Sequence, residues 1–132
     1  MGQAQVRQPL SRKLPAIPDS VTEARHSIEE YARDLGVADA DAVALAVSEA
    51  VGNAVVHAYR ARDPGEIELR AEALIPDTLV VTVIDDGDGM SPHPTPMGLG
   101  LGIPLLGALT VGLEIDAHPP HGTQVSMRFS LA

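Results

Sequence analysis

The sequence is poor in residue types on which several classes of protein depend. It has no cysteine, which excludes disulfide scaffolds, thiolate zinc sites and cysteine nucleophiles. Aromatic residues make up only 2% of the 132 residues, and 9 Lys and Arg stand against 18 Asp and Glu, a formal net charge of −9. With so few rings for base stacking and so little positive charge, the chain is a poor candidate for direct nucleic-acid binding.

Long apolar runs are also missing. The uncharged stretch over residues 97–113 is shorter than the ~20 residues of a spanning helix, and glycines and a proline interrupt it. The first residues have no apolar run of the kind found in a secretory signal. Hydrophobic residues still make up 45% of the chain, enough for a core. We expect a flexible N-terminal tail over residues 1–9 and one domain over residues 10–132.

Apolar periodicity and turn signals predict three helices and five strands. A capping box, Ser20 to Glu23, predicts the start of the first helix, and Gly36 predicts its end. The second helix is predicted over about 39–61, and a short third helix over 101–109. The predicted strands, beginning with an edge strand that contains Pro15, cover about 10–17, 65–74, 78–85, 112–117 and 123–130.

The order of these elements predicts the fold class. Strands and helices do not alternate, which argues against a doubly wound parallel sheet. We therefore expect an α/β fold of the α+β two-layer sandwich type, in which helices cover one face of a mixed, mostly antiparallel sheet. The strand over residues 78–85 has a nearly continuous apolar run and is expected at the centre of that sheet.

The second predicted helix carries polar residues four apart. Glu49, Asn53 and His57 lie on one helix face beside an apolar stripe. A carboxylate and an amide oxygen one turn apart can share a hard cation such as Mg²⁺, and the carboxylate could orient a nucleophile. The same pattern also suits a solvated polar face.

Two glycine-containing segments follow. Asp85 ends the apolar strand and begins Asp-x-Gly-x-Gly, where a buried acid needs a hydrogen-bond partner such as an exocyclic amine. A tight acidic turn is the plainer interpretation, and the spacing does not fit a calcium loop. The second segment, residues 98–103, opens the third helix and could form an anion site, although it lacks the dinucleotide and Walker spacings. His118 and His121 favour a surface loop over a metal site.

Taken in order, four segments of the chain resemble the motifs of one superfamily, the GHKL ATPases. These motifs are an N-box, two glycine boxes and a Gly-Thr pair, which match Glu49-x-x-x-Asn53, Asp85-x-Gly87-x-Gly89, Gly98-x-Gly100-Leu101 and Gly122-Thr123. The sequence around the N-box is similar to one branch, the bacterial anti-sigma factor serine-protein kinases. The resemblance covers residues 10–130 and implies the family's Bergerat-type ATP-binding fold.

The resemblance also implies a role for each matching residue. Asn53 would coordinate Mg²⁺ and so belong to the nucleotide site, and Glu49 would be the catalytic base toward a substrate serine. Asp85 would accept a hydrogen bond from the adenine amino group, with Thr123 nearby. Glycines and one leucine would make room for the base and wrap the phosphates: Gly87, Gly89, Gly98, Gly100 and Leu101.

The family's biology implies partners. Such kinases bind ATP and Mg²⁺, sequester a sigma factor and phosphorylate an anti-anti-sigma protein. Members are typically cytoplasmic homodimers, with no direct role for nucleic acid or membrane. This chain departs from the family pattern because no Lys or Arg occurs from residue 71 to residue 127, which includes the expected ATP lid over residues 90–98.

This departure keeps other functions open. Phosphoryl transfer needs neutralisation of the transferring group's charge, so one alternative is a nucleotide-binding partner-switch protein without phosphotransfer. A histidine-kinase catalytic domain is disfavoured because the sequence has no dimerisation helices with a phosphoacceptor histidine. A structural domain with fortuitous glycines is the remaining alternative.

Overall fold

The structure, a computed structural model, describes residues 8–58, 65–74, 77–87, 102–117 and 122–131. These ranges contain five strands and three α-helices. In chain order they are β1 (Leu10–Pro15), α1 (Asp19–Leu35), α2 (Ala40–Asn53), β2 (Glu66–Leu74), β3 (Thr78–Asp85), α3 (Gly102–Leu109), β4 (Gly112–Ala117) and β5 (Thr123–Ser130). A π-helical turn, Ala54–Ala58, follows α2 directly.

The strands form one sheet in the order β1-β2-β3-β5-β4, and the pairings are antiparallel. The predicted fold class is confirmed. The central position of β3 and the edge position of β1 also agree with the sequence. An apolar run suits a strand with neighbours on both sides, and Pro15 lacks the N–H that a central strand would need.

One face of the sheet forms the core with the helices. Alternate residues of β2, β3 and β5 point to this side, because successive side chains of a strand point to opposite faces. These core residues are Ile67, Leu69, Ala71, Leu79, Val81, Val83, Val125, Met127 and Phe129, all buried. Burial of each large apolar side chain contributes about 1.5–3 kcal/mol, so this face fixes the sheet's orientation.

Helix α1 packs on α2 and on the sheet through an apolar stripe that includes Ala24, Ile28 and Tyr31. Gly36 ends the helix in the left-handed conformation, with a φ of 81°. The predicted capping box is wrong, because α1 begins one residue earlier. Pro18, which already has helical dihedral angles, takes the N-cap position, and the Ser20 hydroxyl instead donates a hydrogen bond to the Pro15 carbonyl at 2.5 Å.

Helix α2 begins as the sequence indicates. The Asp39 side chain accepts a hydrogen bond from the backbone N–H of Ala42 at 3.1 Å. The apolar stripe beside Glu49 and Asn53 is buried, and its residues are Val43, Val47, Ala50, Val51 and Ala54. The α-helix ends earlier than predicted, at Asn53, because the chain widens into the π-helical turn; residues 59–61 lie outside the described residues.

Within the described ranges, the structure contains no helix with the length and apolar character that a bilayer crossing requires.

Candidate functional site

The end of the central strand carries a buried acid. Asp85 is the last residue of β3 and is only 5% exposed. Its neighbours across the sheet are Ile67 on β2 and Thr123 on β5, and Thr123 is 4% exposed. Asp85 is in phase with the core-facing residues of its strand. The carboxylate and the Thr123 side chain therefore lie side by side on the helix-covered face of the sheet.

A backbone group of the following loop binds this carboxylate. The N–H of Gly87 donates a hydrogen bond to Oδ1 of Asp85 at 3.0 Å, in a buried setting. A buried carboxylate needs such donors, because loss of hydration costs several kcal/mol when nothing replaces water. This hydrogen bond thus holds Gly87, two residues further along the chain, against the Asp85 side chain.

Gly122 brings the start of β5 against the end of β3. Its φ is 119°, a conformation that other residues rarely adopt. A Cβ at this position would lie 2.1 Å from the Asp85 carbonyl oxygen. Only glycine fits, so Gly122 sets the close approach that puts Thr123 beside Asp85. The family resemblance implied that Thr123 lies near Asp85, but it did not indicate this approach of Gly122.

The other predicted site residues lie on α2. Glu49 is half-buried and Asn53, at 8% exposure, is buried, one helical turn apart. Neither side chain makes a hydrogen bond to another residue that the structure describes, including Asp85 and Thr123. Helix α2 packs on β3 and on α3. The side chain of His57 lies outside the described residues.

The π-helical turn after Asn53 is a feature that the sequence analysis missed. Such turns are rare and occur often at functional sites. In this chain the turn begins at the residue after Asn53 and continues the helix with a wider backbone spiral. The sequence over residues 54–58 contains no proline or glycine that would have indicated it.

Four predicted phosphate-loop and glycine-box residues lie outside the described residues: Gly89, Gly98, Gly100 and Leu101. Of the predicted set, the structure therefore brings together Asp85, Gly87 and Thr123. In the parts of the chain that can be described, no cluster of three His, Asp or Glu side chains could hold a metal ion by itself.

Comparison with known families places the chain in a class of proteins. Residues 14–129 match the model of the histidine kinase-like ATPase domain. This match covers most of the chain and agrees with the two-layer fold and the order of the motifs. The chain therefore belongs to the histidine kinase-like ATPase family.

Individual proteins are also similar to this chain in sequence. The chain is 37% identical over 86 residues to the serine-protein kinase RsbW of Bacillus licheniformis, covering 64% of this chain and 53% of that protein. It is 29% identical over 97 residues to the anti-sigma F factor of Clostridium beijerinckii, covering 65% and 67%. The matched region thus spans about half the length of the RsbW relatives.

A solved structure gives the same comparison at the level of the fold. The RsbU and RsbW domains of Rv1364c from Mycobacterium tuberculosis superpose with a TM-score of 0.72 at 25% identity. The match covers 93% of this chain and 32% of that one. The chain is therefore similar to RsbW proteins in sequence and in fold.

Proposed function

We propose that this protein is an anti-sigma factor that uses Mg-ATP to phosphorylate a serine or threonine of an anti-anti-sigma protein, and that it sequesters a sigma factor. The observation that carries the proposal is the buried Asp85–Thr123 pair at the end of the central strand. A buried acid at this place, in a histidine kinase-like ATPase domain, suits recognition of an adenine amine. The likeness to RsbW supports the partner classes.

The nucleotide would bind between the sheet and the lid loop. Asp85 would accept the hydrogen bond from the adenine amino group, with Thr123 beside it. Gly87 and Gly89 would leave room for the base. The backbone N–H groups near the start of α3 would bind the phosphates, a role that the family resemblance implies for Gly98, Gly100 and Leu101.

The residues of α2 fit a magnesium ion that is held mainly by a nucleotide. Mg²⁺ prefers oxygen ligands and usually takes only one or two from protein side chains, the rest coming from phosphates and water. The buried amide of Asn53, with no hydrogen bond to another described residue, would supply such an oxygen. When bound, the ion would neutralise the negative charge of the phosphates. The chain itself offers little positive charge for this purpose, because it has 9 Lys and Arg against 18 Asp and Glu.

Glu49 would act as the general base. Its carboxylate would accept the proton of the substrate hydroxyl as that oxygen forms a bond to the γ-phosphorus. The bond from the γ-phosphorus to the bridging oxygen breaks, and ADP leaves with that oxygen. The half-buried position of Glu49, one turn before Asn53, suits a base next to the metal-bound phosphates.

A phosphotransfer assay tests this function. Purified protein would be mixed with γ-labelled ATP, Mg²⁺ and an anti-anti-sigma protein encoded in the same genome. We expect label on the partner, none when its acceptor serine is replaced by alanine, and about 10²–10⁴-fold slower labelling with Glu49→Gln. The control is Glu30→Gln on the exposed side of α1, which should label at the wild-type rate.

A second function is favoured by one observation, the absence of Lys and Arg over residues 71–127. If ATP binds tightly but no label reaches the partner, the protein would be a nucleotide-dependent binding switch without phosphotransfer. We further propose that the protein acts in the cytoplasm as a homodimer. The dimer is independent of the phosphotransfer step, and sedimentation of the full chain at several concentrations tests it.

A further inference from the structure

Helix α2 and the π-helical turn after it have one side that the rest of the domain leaves exposed. Leu45, Glu49, Gly52 and Val56 follow one another at spacings of four, three and four residues, which places them on one stripe of the helix. Leu45 and Val56 are 44% and 48% exposed, and Glu49 and Gly52 are half-buried. We call these four residues the α2 outer stripe, because the stripe that packs in the core lies on the other side of the helix.

Two exposed apolar side chains flank Glu49 and Gly52 on the outer stripe. Leu45 lies one turn before Glu49, and Val56 lies one turn after Gly52. Single exposed apolar residues are normal on a protein surface, so exposure alone indicates nothing. The other large apolar side chains that the structure describes as exposed are outside the helices: Leu74, Val111 and Ile115. It is the position of Leu45 and Val56, on either side of the proposed base, that indicates a contact.

The proposed reaction brings a polypeptide onto the outer stripe. The acceptor hydroxyl must come within about 2.6–3.2 Å of the Glu49 carboxylate in order to pass its proton to it. The residues before and after that serine or threonine must then lie over the neighbours of Glu49 on the stripe. Leu45 and Val56 are about 16 Å apart along the helix axis, which is the length of about five extended residues. One short segment therefore spans the stripe, with its acceptor near the middle.

The chemistry of the stripe restricts the kind of segment that fits. Glu49 is the only Asp, Glu, Lys or Arg over residues 42–58. Apolar side chains of the segment would be stabilised by covering Leu45 and Val56, since both surfaces leave water. Acidic side chains beside the acceptor would be repelled by Glu49 and by the formal net charge of −9. An extended, apolar segment without acids next to its acceptor matches these surroundings.

Gly52 leaves room for the backbone of such a segment. Glycine inside a helix lowers stability relative to alanine. Among the described residues, no neighbouring atom lies within 4 Å of the Cβ that another residue would add at this position. Packing of the domain therefore does not require glycine here. Because Gly52 is three residues after Glu49, on the same stripe, a side chain at this position would obstruct a polypeptide that approaches the carboxylate.

We propose that the α2 outer stripe is the docking surface for the acceptor segment of the anti-anti-sigma protein. The serine or threonine of that segment lies at Glu49 and Gly52, and the apolar residues that flank it contact Leu45 and Val56. This inference rests on the proposed phosphotransfer and names the residues that select its substrate. Leu45, Gly52 and Val56 determine binding of the partner, whereas Glu49 accepts the proton.

The test is the rate of labelling at saturating Mg-ATP over a range of concentrations of the anti-anti-sigma protein, which gives kcat and KM for each variant of the full chain. Leu45→Ser and Val56→Ser should each raise KM about 10-fold and lower kcat by less than about threefold, because they remove contact area and not the base. Leu74→Ser is the matched control and should leave KM unchanged. Leu74 is 46% exposed and pairs with Thr78, at the end of β3 opposite to Asp85.

Substitution of Gly52 separates docking from folding. Gly52→Leu should raise KM by about 10-fold or more, because the new side chain occupies the place of the partner's backbone. It should not lower the Tm of the free protein, since leucine favours a helix and space for its Cβ is open. Gly107→Leu adds the same side chain to α3, also at a glycine with open space in the described structure, and should leave KM unchanged. A retained rise in Tm with Mg-ATP shows that the nucleotide site of each variant is intact.

The outcomes distinguish the docking surface from the phosphotransfer. If the wild-type protein labels its partner and the Leu45, Gly52 and Val56 variants have the wild-type KM, the docking surface is overturned and the proposed function stands. If the wild-type protein does not label, titration of the partner with Mg-ADP present decides. Weaker binding by the same variants would then support the surface without phosphotransfer, and equal binding or none at all would overturn both. Variants that weaken binding of the sigma factor but not of the anti-anti-sigma protein would also overturn the proposal.

Discussion

The two ends of the candidate site are built in different ways. At the sheet end, strand register, a hydrogen bond from Gly87 and the close approach of Gly122 hold Asp85 and Thr123 in place. At the helix end, Glu49 and Asn53 are held only by the helix that carries them, since their side chains bond to no other described residue.

This difference separates structural from functional contributions. Residues of the sheet end contribute to folding as well as to the proposed nucleotide site, because they contact backbone atoms of neighbouring segments. Residues of the helix end have side chains that are available for a ligand. Substitutions should therefore lower the free energy of unfolding at the sheet end and should change only binding or catalysis at the helix end.

The largest effect on stability is expected at Gly122. Gly122→Ala would force a Cβ against the Asp85 carbonyl in a conformation that suits only glycine, and should cost about 3 kcal/mol or more. Gly107→Ala in α3 is the matched control, because no atom lies within 4 Å of its would-be Cβ. It should stabilise by about 0.5–1 kcal/mol. Denaturant unfolding of both variants measures the change in the free energy of unfolding. Equal changes in the two variants would show that Gly122 does not pack closely against the Asp85 carbonyl.

A smaller loss of stability is expected at Asp85. Asp85→Ala removes the acceptor of the buried Gly87 N–H and should cost about 1–3 kcal/mol. It should also abolish stabilisation by Mg-ATP. Asp77→Ala, just before the other end of β3, serves as the control, because Asp77 is exposed and should have little effect on either measurement. Unchanged ATP binding in Asp85→Ala would remove Asp85 from the nucleotide site.

Asn53→Ala should change binding more than folding. Its side chain has no hydrogen bond to lose within the described residues, so the free energy of unfolding without ligand should fall by about 1 kcal/mol or less. The stabilisation that Mg²⁺ adds to ATP binding should disappear. Calorimetric titration with ATP, with and without Mg²⁺, measures the difference. A magnesium effect that survives the substitution would contradict the assignment.

The smallest structural effect is expected at Glu49. Glu49→Gln keeps the shape of the side chain, so stability should stay within about 0.5 kcal/mol and ATP affinity should stay close to wild type. Only phosphotransfer should fall. A Glu49→Gln protein that still labels its partner at the wild-type rate would show that the base lies elsewhere.

Much of the fold could be predicted from the sequence because local patterns decide it. Alternation along β2 and β5, the apolar stripe of α2 and the stop at Gly36 each follow from periodicity or backbone preference. The start of α1 could not be predicted in this way. Pro18 and Ser20 lie close together, and each is a residue type that favours the start of a helix. The helix begins directly after Pro18.

Less of the candidate site than of the fold could be predicted from the sequence. Asp85 and Thr123 are far apart in the chain, and only the pairing of β3 with β5 makes them neighbours. The motif resemblance named both residues, but the approach of Gly122 to the Asp85 carbonyl requires the register. The π-helical turn after Asn53 has no sequence signal, since residues 54–58 contain no proline or glycine.

The central claim is that this domain binds adenine nucleotide through the buried acid of β3 and magnesium. The most direct test is thermal unfolding of the wild-type protein with Mg-ATP, ATP alone, Mg-GTP and no nucleotide. At about 100 times its Kd, a ligand adds about 2.7 kcal/mol of stability, a rise in Tm of several degrees. We predict that rise with Mg-ATP, a smaller one with ATP alone and none with Mg-GTP. Equal shifts with both nucleotides, or none with any, would contradict the claim.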